Sequence, residues 1–317
     1  MTRIYDGFLF DNEFELLELR LQEHWDHVHK FILVESKVDH KDNSKPLYYA
    51  DNMERFAPWR DKIRHVVLER VQDNGPWQFK KTNTGSLQEQ QRNMIPWGAY
   101  DANYDDVLLI CDVDEIWRKE ALQFIMDNPS HALYSPKQVM AHFKMNFICK
   151  THENTEKCHG YMSWSKGIKI GWLKDEFNFD ATAVKANGQF STINEIGPRA
   201  DYHAIIQHGG WHFSWWGEWR DHLRKLDVYG HTEQDTQEVR KMMKDRSLIP
   251  TKLLKDAYVP QIGNMFPMHE WTICEVDDYY PVTIRNNMTK YNRHILPNPG
   301  CKITDIFPKF DIGTTGL

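Results

Sequence analysis

Val107-Leu108-Leu109-Ile110-Cys111-Asp112-Val113-Asp114-Glu115-Ile116 is the stretch on which the fold turns. An uninterrupted apolar run ends in two aspartates one residue apart. Such a run fits a strand buried on both faces, because no polar residue interrupts it. Open α/β sheets bind ligands in the crevice at the carboxyl ends of their strands. If the chain turns there, both aspartates face that crevice. A hard divalent cation is satisfied by one or two carboxylates plus the oxygens of a substrate diphosphate. The pattern therefore points to nucleotide-sugar or phosphoryl-transfer chemistry. A plainer reading stands beside it: Asp is a favoured N-cap, so Asp112 or Asp114 can open a helix near Arg118.

Outward from this stretch, the amino-terminal side reads as strand–helix–strand. Arg3 to Phe10 is strand-like. Asn12 with Glu15 has the pattern of a capping box. The helix that follows places Leu17, Leu21 and Trp25 on one stripe, with Phe14 beside them. Phe31-Ile32-Leu33-Val34 is a second buried strand that stops at Glu35-Ser36, which completes a βαβ unit of a parallel sheet. Lys37 to Lys45 is a loop, and Ile63 to Leu68 is a third strand. Asp73-Asn74-Gly75-Pro76 breaks the chain. Gln88 to Tyr100 is helical but interrupted at Pro96. A helix from about Lys119 to Met126 follows the acidic pair.

The carboxyl-terminal half reads differently. Val139 to Cys149 and Gly167 to Leu173 are strand-like, and Asn187-Gly188 and Gly197-Pro198 mark turns. Gly209-Gly210-Trp211-His212-Phe213-Ser214-Trp215-Trp216-Gly217 is a glycine-bracketed aromatic segment, followed by a helix from Trp219 to Leu226. Beyond Pro250 the periodicity fades among scattered prolines. The expected organisation is one domain over residues 1–255, with a nucleotide-binding half (1–130), an acceptor-binding half (131–255) and an irregular extension (256–317).

Composition sets the remaining limits. The chain has 317 residues, 26% of them charged, and a formal net charge of -6. That length supports a sizeable core, and that charge gives no global field favouring nucleic acid. The 12 Trp residues are unusual; Trp fills cores, but its flat face also covers the apolar face of a sugar ring. The N-terminus has no apolar leader, and no apolar run approaches the ~18 residues of a membrane span. The expectation is a soluble, cytoplasmic protein. The five cysteines are odd in number and sparse, unlike a secreted disulfide framework. Cys149, His152, Cys158 and His159 have zinc-binding types, but their spacing matches no common zinc module. Asn287-Met288-Thr289 is a glycosylation sequon by pattern alone.

Six short motifs together resemble glycosyltransferase family 17. They are Ile4-Tyr5-Asp6 with Asn12-Glu13 and Leu16 to Leu21, Phe31 to Ser36, Lys45-Pro46-Leu47, Gln91-Arg92-Asn93, Asp112 to Ile116, and Gly210 to Trp215. They stand in the family's order across roughly residues 3 to 235. The family includes the animal β-1,4-mannosyl-glycoprotein 4-β-N-acetylglucosaminyltransferase. The membrane anchor and stem of that enzyme are not seen here, so the chain looks more like compact bacterial or viral members. The resemblance implies a GT-A fold, a Rossmann-like mixed and mostly parallel sheet flanked by helices, with the loop-rich aromatic part as its second half. It implies a UDP-sugar donor (UDP-GlcNAc in the animal enzyme), a glycan acceptor, and Mn²⁺ or Mg²⁺ on the diphosphate.

With that resemblance, roles can be assigned. Asp114 is the first choice of metal ligand, Asp112 contacts the metal or the ribose, and His212 is a third ligand that favours manganese. Glu35, at the end of the second strand, can accept hydrogen bonds from uracil or ribose. Arg92 is matched to phosphate or a base edge, and Lys45 to phosphate. Inverting transfer needs a general base; Glu233 matches a family position, with Glu115 second, its alternative being to serve the turn, and Asp175 and Glu176 behind. Trp211, Trp215 and Trp216 are candidates for stacking on sugar. Strand alternation would put Trp211 and Trp215 on one face and Trp216 on the other. Two rival readings remain. One is a haloacid-dehalogenase-type phosphatase, whose first Asp is a nucleophile; the other is a carbohydrate binder without catalysis.

Overall fold

The computed structural model describes residues 2–41, 43–69, 87–150, 161–162, 164–186, 202–228, 236–244 and 270–307. Strands β1 (Ile4–Leu9), β2 (Lys30–Ser36), β3 (Ile63–Leu68) and β4 (Val107–Asp112) are parallel, in the order β3-β2-β1-β4. Each apolar run read from the sequence is one of these strands. All four end at one edge, where Leu9 pairs with both Val34 and Asp112.

The second half continues the same sheet in mixed orientation. It contributes β5 (Glu115–Trp117), β6 (Leu133–His142), β7 (Phe147–Lys150), β8 (Tyr161–Met162), β9 (Lys166–Lys169), β10 (His203–Ser214) and β11 (Glu270–Ile273). β9 lies antiparallel to β4 and to β6, which joins the two halves. β10 runs parallel to β6 and antiparallel to β5. β11 closes against β7, and the segment after it packs on the same core, where Tyr280, Ile284 and Tyr291 are buried.

Helices cover both faces. Parity of the parallel strands divides the core: Ile4, Phe8, Phe31, Leu33, Leu109 and Cys111 share one apolar cluster with α1 (Phe14–His24) and with the later helix Lys119–Asp127. Tyr5, Ile32, Val34, Leu108 and Ile110 form the opposite cluster with Ile95, Leu173, Ala181 and Val184. A 3-10 turn, Ile95–Ala99, lies directly on this second face. Glycine permits the approach, because a Cβ at Gly7 would sit 2.1 Å from Ile95 Cγ2 and one at Gly98 would sit 2.2 Å from Ile32. Among the described residues, no helix is long and apolar enough to cross a membrane.

Several local expectations are revised. The capping box does not form: helix α1 starts at Phe14 with Glu13 at its cap and no side-chain cap bond. Glu15 is spent instead on Arg293 and His294. The expected helix 88–100 is Leu87–Asn93 followed by the 3-10 turn, with Pro96 in its first positions, where its missing N–H costs nothing. The long strand expected over 139–149 is the pair β6 and β7, turning at Phe143, which has φ 62°. The strand expected over 167–173 ends at Lys169, and Ile170–Phe177 is helical. Neither Asp112 nor Asp114 caps a helix, since the helix after them begins at Lys119 with Arg118 at its cap. Cys158, His152 and His159, the turns at 187–188 and 197–198 and the break at 73–76 lie outside the described residues.

Candidate functional site at the carboxyl edge of the parallel strands

The acidic pair sits where the sheet changes direction. β4 ends at Asp112, the chain turns, and β5 starts at Glu115. β10 locks the turn from the other side: Phe213 N donates to Asp114 O at 2.9 Å, and His212 stands opposite Glu115 in register. His212 Nε2 then lies 3.5 Å from Asp114 Oδ2. The two motifs, a hundred residues apart in sequence, thus meet at one edge.

Cations surround Asp112. Lys185 Nζ lies 2.8 Å from Asp112 Oδ2, and Arg92 Nη2 lies 3.3 Å from Asp112 Oδ1. Lys185 comes from Ala181–Ala186 and Arg92 from Leu87–Asn93, both on the same side of the sheet as the Asp112 side chain. Burial opposes ionisation of Asp112, but Lys185 and Arg92 outweigh it and hold the carboxyl well below its usual range. Asp114 is lowered too: burial is outweighed by His212 and Lys225. Burial also works against a charged His212, yet the Asp114 carboxylate raises its pKa. Both aspartates are therefore anionic at neutral pH.

Glu115 is engaged at the turn, the alternative that its place beside the acidic pair left open. Its side chain is fully buried, and Oε2 accepts from Asp112 N at 2.7 Å and from Lys185 Nζ at 2.8 Å. Burial pushes its pKa up against the pull of Lys185. It braces the turn from inside. Glu35 does not join the acidic pair. Successive side chains of a strand face opposite ways; Val34 shares the Asp112 face, so Glu35 faces away. It accepts from Tyr49 N at 3.1 Å and lies 2.7 Å from His65 Nε2. Lys45 reaches the same edge and pairs with Asp11 Oδ1 at 3.0 Å. Glu233 lies outside the described residues. Tyr104 OH donates to Asp175 on an exposed surface.

The tryptophans are mostly core. Trp211 is buried under the Arg118 guanidinium, 4.1 Å away. Trp215 is buried in a separate cluster with Phe143 and Phe147. The strand ends at Ser214 and Trp215 has φ 54°, so the alternation expected across this segment breaks there and the two tryptophans do not share a face. Trp216 is half-buried and packs 4.4 Å from the His294 ring.

Sequence reading missed several residues of this edge. Lys185 is an ordinary lysine in a short helix, with no motif around it. Asp11 pairs with Arg224 at 2.6 Å, and the Arg224 guanidinium lies 4.8 Å from the Tyr48 ring. Glu13, in the same loop, is pushed up by burial and by the charges of Asp11 and Asp114. Trp164 packs edge-on against the His212 ring at 5.0 Å. The only available signal was position, since Asp11 and Glu13 follow the first strand as Asp114 follows the fourth.

The metal reading meets a divided donor set. Among the described residues, no group of three or more His, Cys, Asp or Glu is arranged to hold an ion. Asp112 is engaged by cations, which leaves Asp114 with His212 as the pair facing one point. One oxygen and one nitrogen suffice for an ion that draws its other ligands from phosphate and water.

The fold and this edge define an α/β protein with paired carboxylates and basic side chains at its strand ends. A family model described as glycosyltransferase family 17 matches residues 1–159, half of the chain, and the chain belongs to that family. The match spans all four parallel strands and the acidic pair. No curated protein matches. Several solved structures are distantly similar, among them the following two. The inositol-1-phosphate CTP transferase from T. maritima is 11% identical with a TM-score of 0.35, covering 66% of this chain and 86% of its own. HddC from Yersinia pseudotuberculosis is 12% identical with a TM-score of 0.30, covering 66% and 92%. Likeness this low has no bearing on function.

Proposed function

We propose that the chain is a metal-dependent, inverting glycosyltransferase of GT-A type that moves a sugar, GlcNAc first among candidates, from a UDP-sugar to a glycan hydroxyl. Family membership supports glycosyl transfer. The observation that carries the rest is the meeting of Asp114, His212, Asp112, Arg92 and Lys185 at the strand edge.

Asp114 and His212 would hold Mn²⁺ or Mg²⁺, which acts as a Lewis acid on the diphosphate. Arg92 and Lys185 supply fixed positive charge where the departing UDP gains negative charge. Asp112 holds those two cations in place and is free to exchange them for ribose or metal contacts on binding. Glu115 is sealed beneath the turn, so the proton of the acceptor falls to another carboxylate. Glu233 remains the first candidate, and Glu13, with its raised pKa beside Asp114, is the described alternative. Removing the true base should cost about 10²–10⁴-fold in rate.

The test is hydrolysis and transfer across UDP- and GDP-sugars, with and without Mn²⁺. Asp114→Ala should abolish Mn²⁺-dependent UDP binding in calorimetry while the circular dichroism spectrum stays native. Unchanged UDP affinity in that variant would sink the reading.

A further inference from the structure

The acidic turn is also gripped from beneath by a trio sealed from solvent. Asp6 on β1, with Arg20 and His24 on α1, is fully buried with both partners. Arg20 Nε donates to Asp6 Oδ2 at 2.9 Å, and Nη2 donates to Asp6 Oδ1. The other arm of the guanidinium, Nη1, faces the main-chain carbonyls of Asp112, Val113 and Glu115 at 3.1, 3.4 and 2.8 Å. His24 extends the grip, with Nδ1 at 2.7 Å from Asp6 Oδ2 and Nε2 at 3.0 Å from Trp117 O. Three carbonyls of the turn and one at the end of β5 are thus held by one network.

The direction of the grip matters. Asp6 and Cys111 share the α1 face of the sheet, whereas the Asp112 side chain points to the opposite face, toward Lys185 and Arg92. The main chain is pinned from one side and the Asp112 carboxylate is aimed out on the other. A planar fork that meets a carboxylate with two donors and still turns a third toward carbonyls is available to Arg and not to Lys. The Arg20 guanidinium also lies 4.6 Å from the Phe8 ring, which fixes its plane.

We infer that Arg20 is a positioning residue: braced by Asp6 and His24, it sets the path of the Asp112–Glu115 turn and so the aim of the side chains that take the donor. The inference rests on the reading that Asp114 binds the donor with a metal. Groups that orient ligands in this indirect way typically change affinity about 10–100-fold when altered.

The experiment uses the full chain, with UDP as the calorimetric probe, with and without Mn²⁺. Arg20→Lys keeps a charge for Asp6 but loses the fork. It should stay folded by near-ultraviolet circular dichroism and bind UDP with Mn²⁺ about 10–100-fold more weakly, with UDP binding in the absence of Mn²⁺ changed little. A second variant, Asp6→Asn with Arg20→Gln, removes the buried charges together, so neither is stranded, and should show the same selective loss. Asp114→Ala, measured alongside, separates the two ideas. If it binds UDP like the wild type, the reading of the acidic pair fails. If it loses binding while a folded Arg20 variant keeps wild-type affinity, the positioning role is overturned. Failure of both Arg20 variants to fold overturns it too, because the trio would then be a pillar of the whole domain rather than a brace for the turn.

Discussion

Lys166 shows how residue-scale electrostatics shapes this region. It lies on β9, fully buried, and burial pulls its pKa down to about 7 despite the nearby Glu115. An unfolded lysine holds its proton up to about 10.4. Between those values the unfolded chain binds more protons, so this residue makes stability rise with pH from about 7 to about 10. Lys166→Met removes that dependence. Denaturant titrations at pH 7, 8.5 and 10 should find the variant more stable than wild type at pH 7, with the gap closing toward pH 10. A gap independent of pH would contradict the assignment. Residues of this kind leave no mark in the sequence. Asp112, Asp114 and His212 do, because the constraint on them is local: a buried run that stops, and glycines that bracket an aromatic strand. Lys185 and Lys166 owe their place to folding, which brings distant segments under the turn.

At the scale of elements, the site depends on how closely β5 and β10 approach. Gly210 lies opposite Trp117 in that pairing, and a Cβ there would be 2.2 Å from Ile116 O, a backbone atom that has no rotamer to give. Gly210→Ala should therefore cost at least about 1–3 kcal/mol, and it should weaken Mn²⁺-dependent UDP binding because His212 and Asp114 are held by the same pairing. Thermal unfolding and calorimetry on one preparation check both; a neutral effect on both would show that the strands separate at no cost. Element types were largely legible, since β2 and β4 are apolar runs, β1 and β3 are mostly apolar, and α1 carries an apolar stripe. Ends were less so. The predicted cap at Asn12 failed because tertiary partners compete for Glu15, and the predicted strand 139–149 broke because a turn at positive φ carries no glycine to announce it.

On the scale of the molecule, the last described segment is part of the structure that supports the site. β11 pairs with β7, Thr283 N donates to Glu23 on α1 at 2.7 Å, and Arg118 donates to Tyr279 O at 2.7 Å. A chain ending at residue 269 would expose Tyr280, Ile284 and Tyr291's partners in the main core and leave Glu23 and Arg118 without those contacts. Burying an aromatic of this size contributes several kcal/mol (about 3–5 when truncated to Ala), against a total stability of about 5–15 kcal/mol. The truncated chain should lose its cooperative thermal transition. A native near-ultraviolet spectrum from it would show that the core closes without this segment. Beyond Pro250 the sequence shows no periodicity that foretells such packing, because the contacts are made by single aromatics at irregular spacing.

The sequence by itself determined the parallel strands, their βαβ connection, the acidic pair at a strand end and the family to which the chain belongs. These are short-range properties, written in runs of apolar residues and in the polar residues that stop them. Tertiary structure alone decided that Glu35 faces away from the acidic pair, that Glu115 is sealed beneath it, and that Lys185, Arg92 and Arg20 close around it. Strand parity and sheet order set those outcomes: which side of a sheet a carboxylate faces, and which distant cation it meets, depend on pairings between segments that no local pattern records.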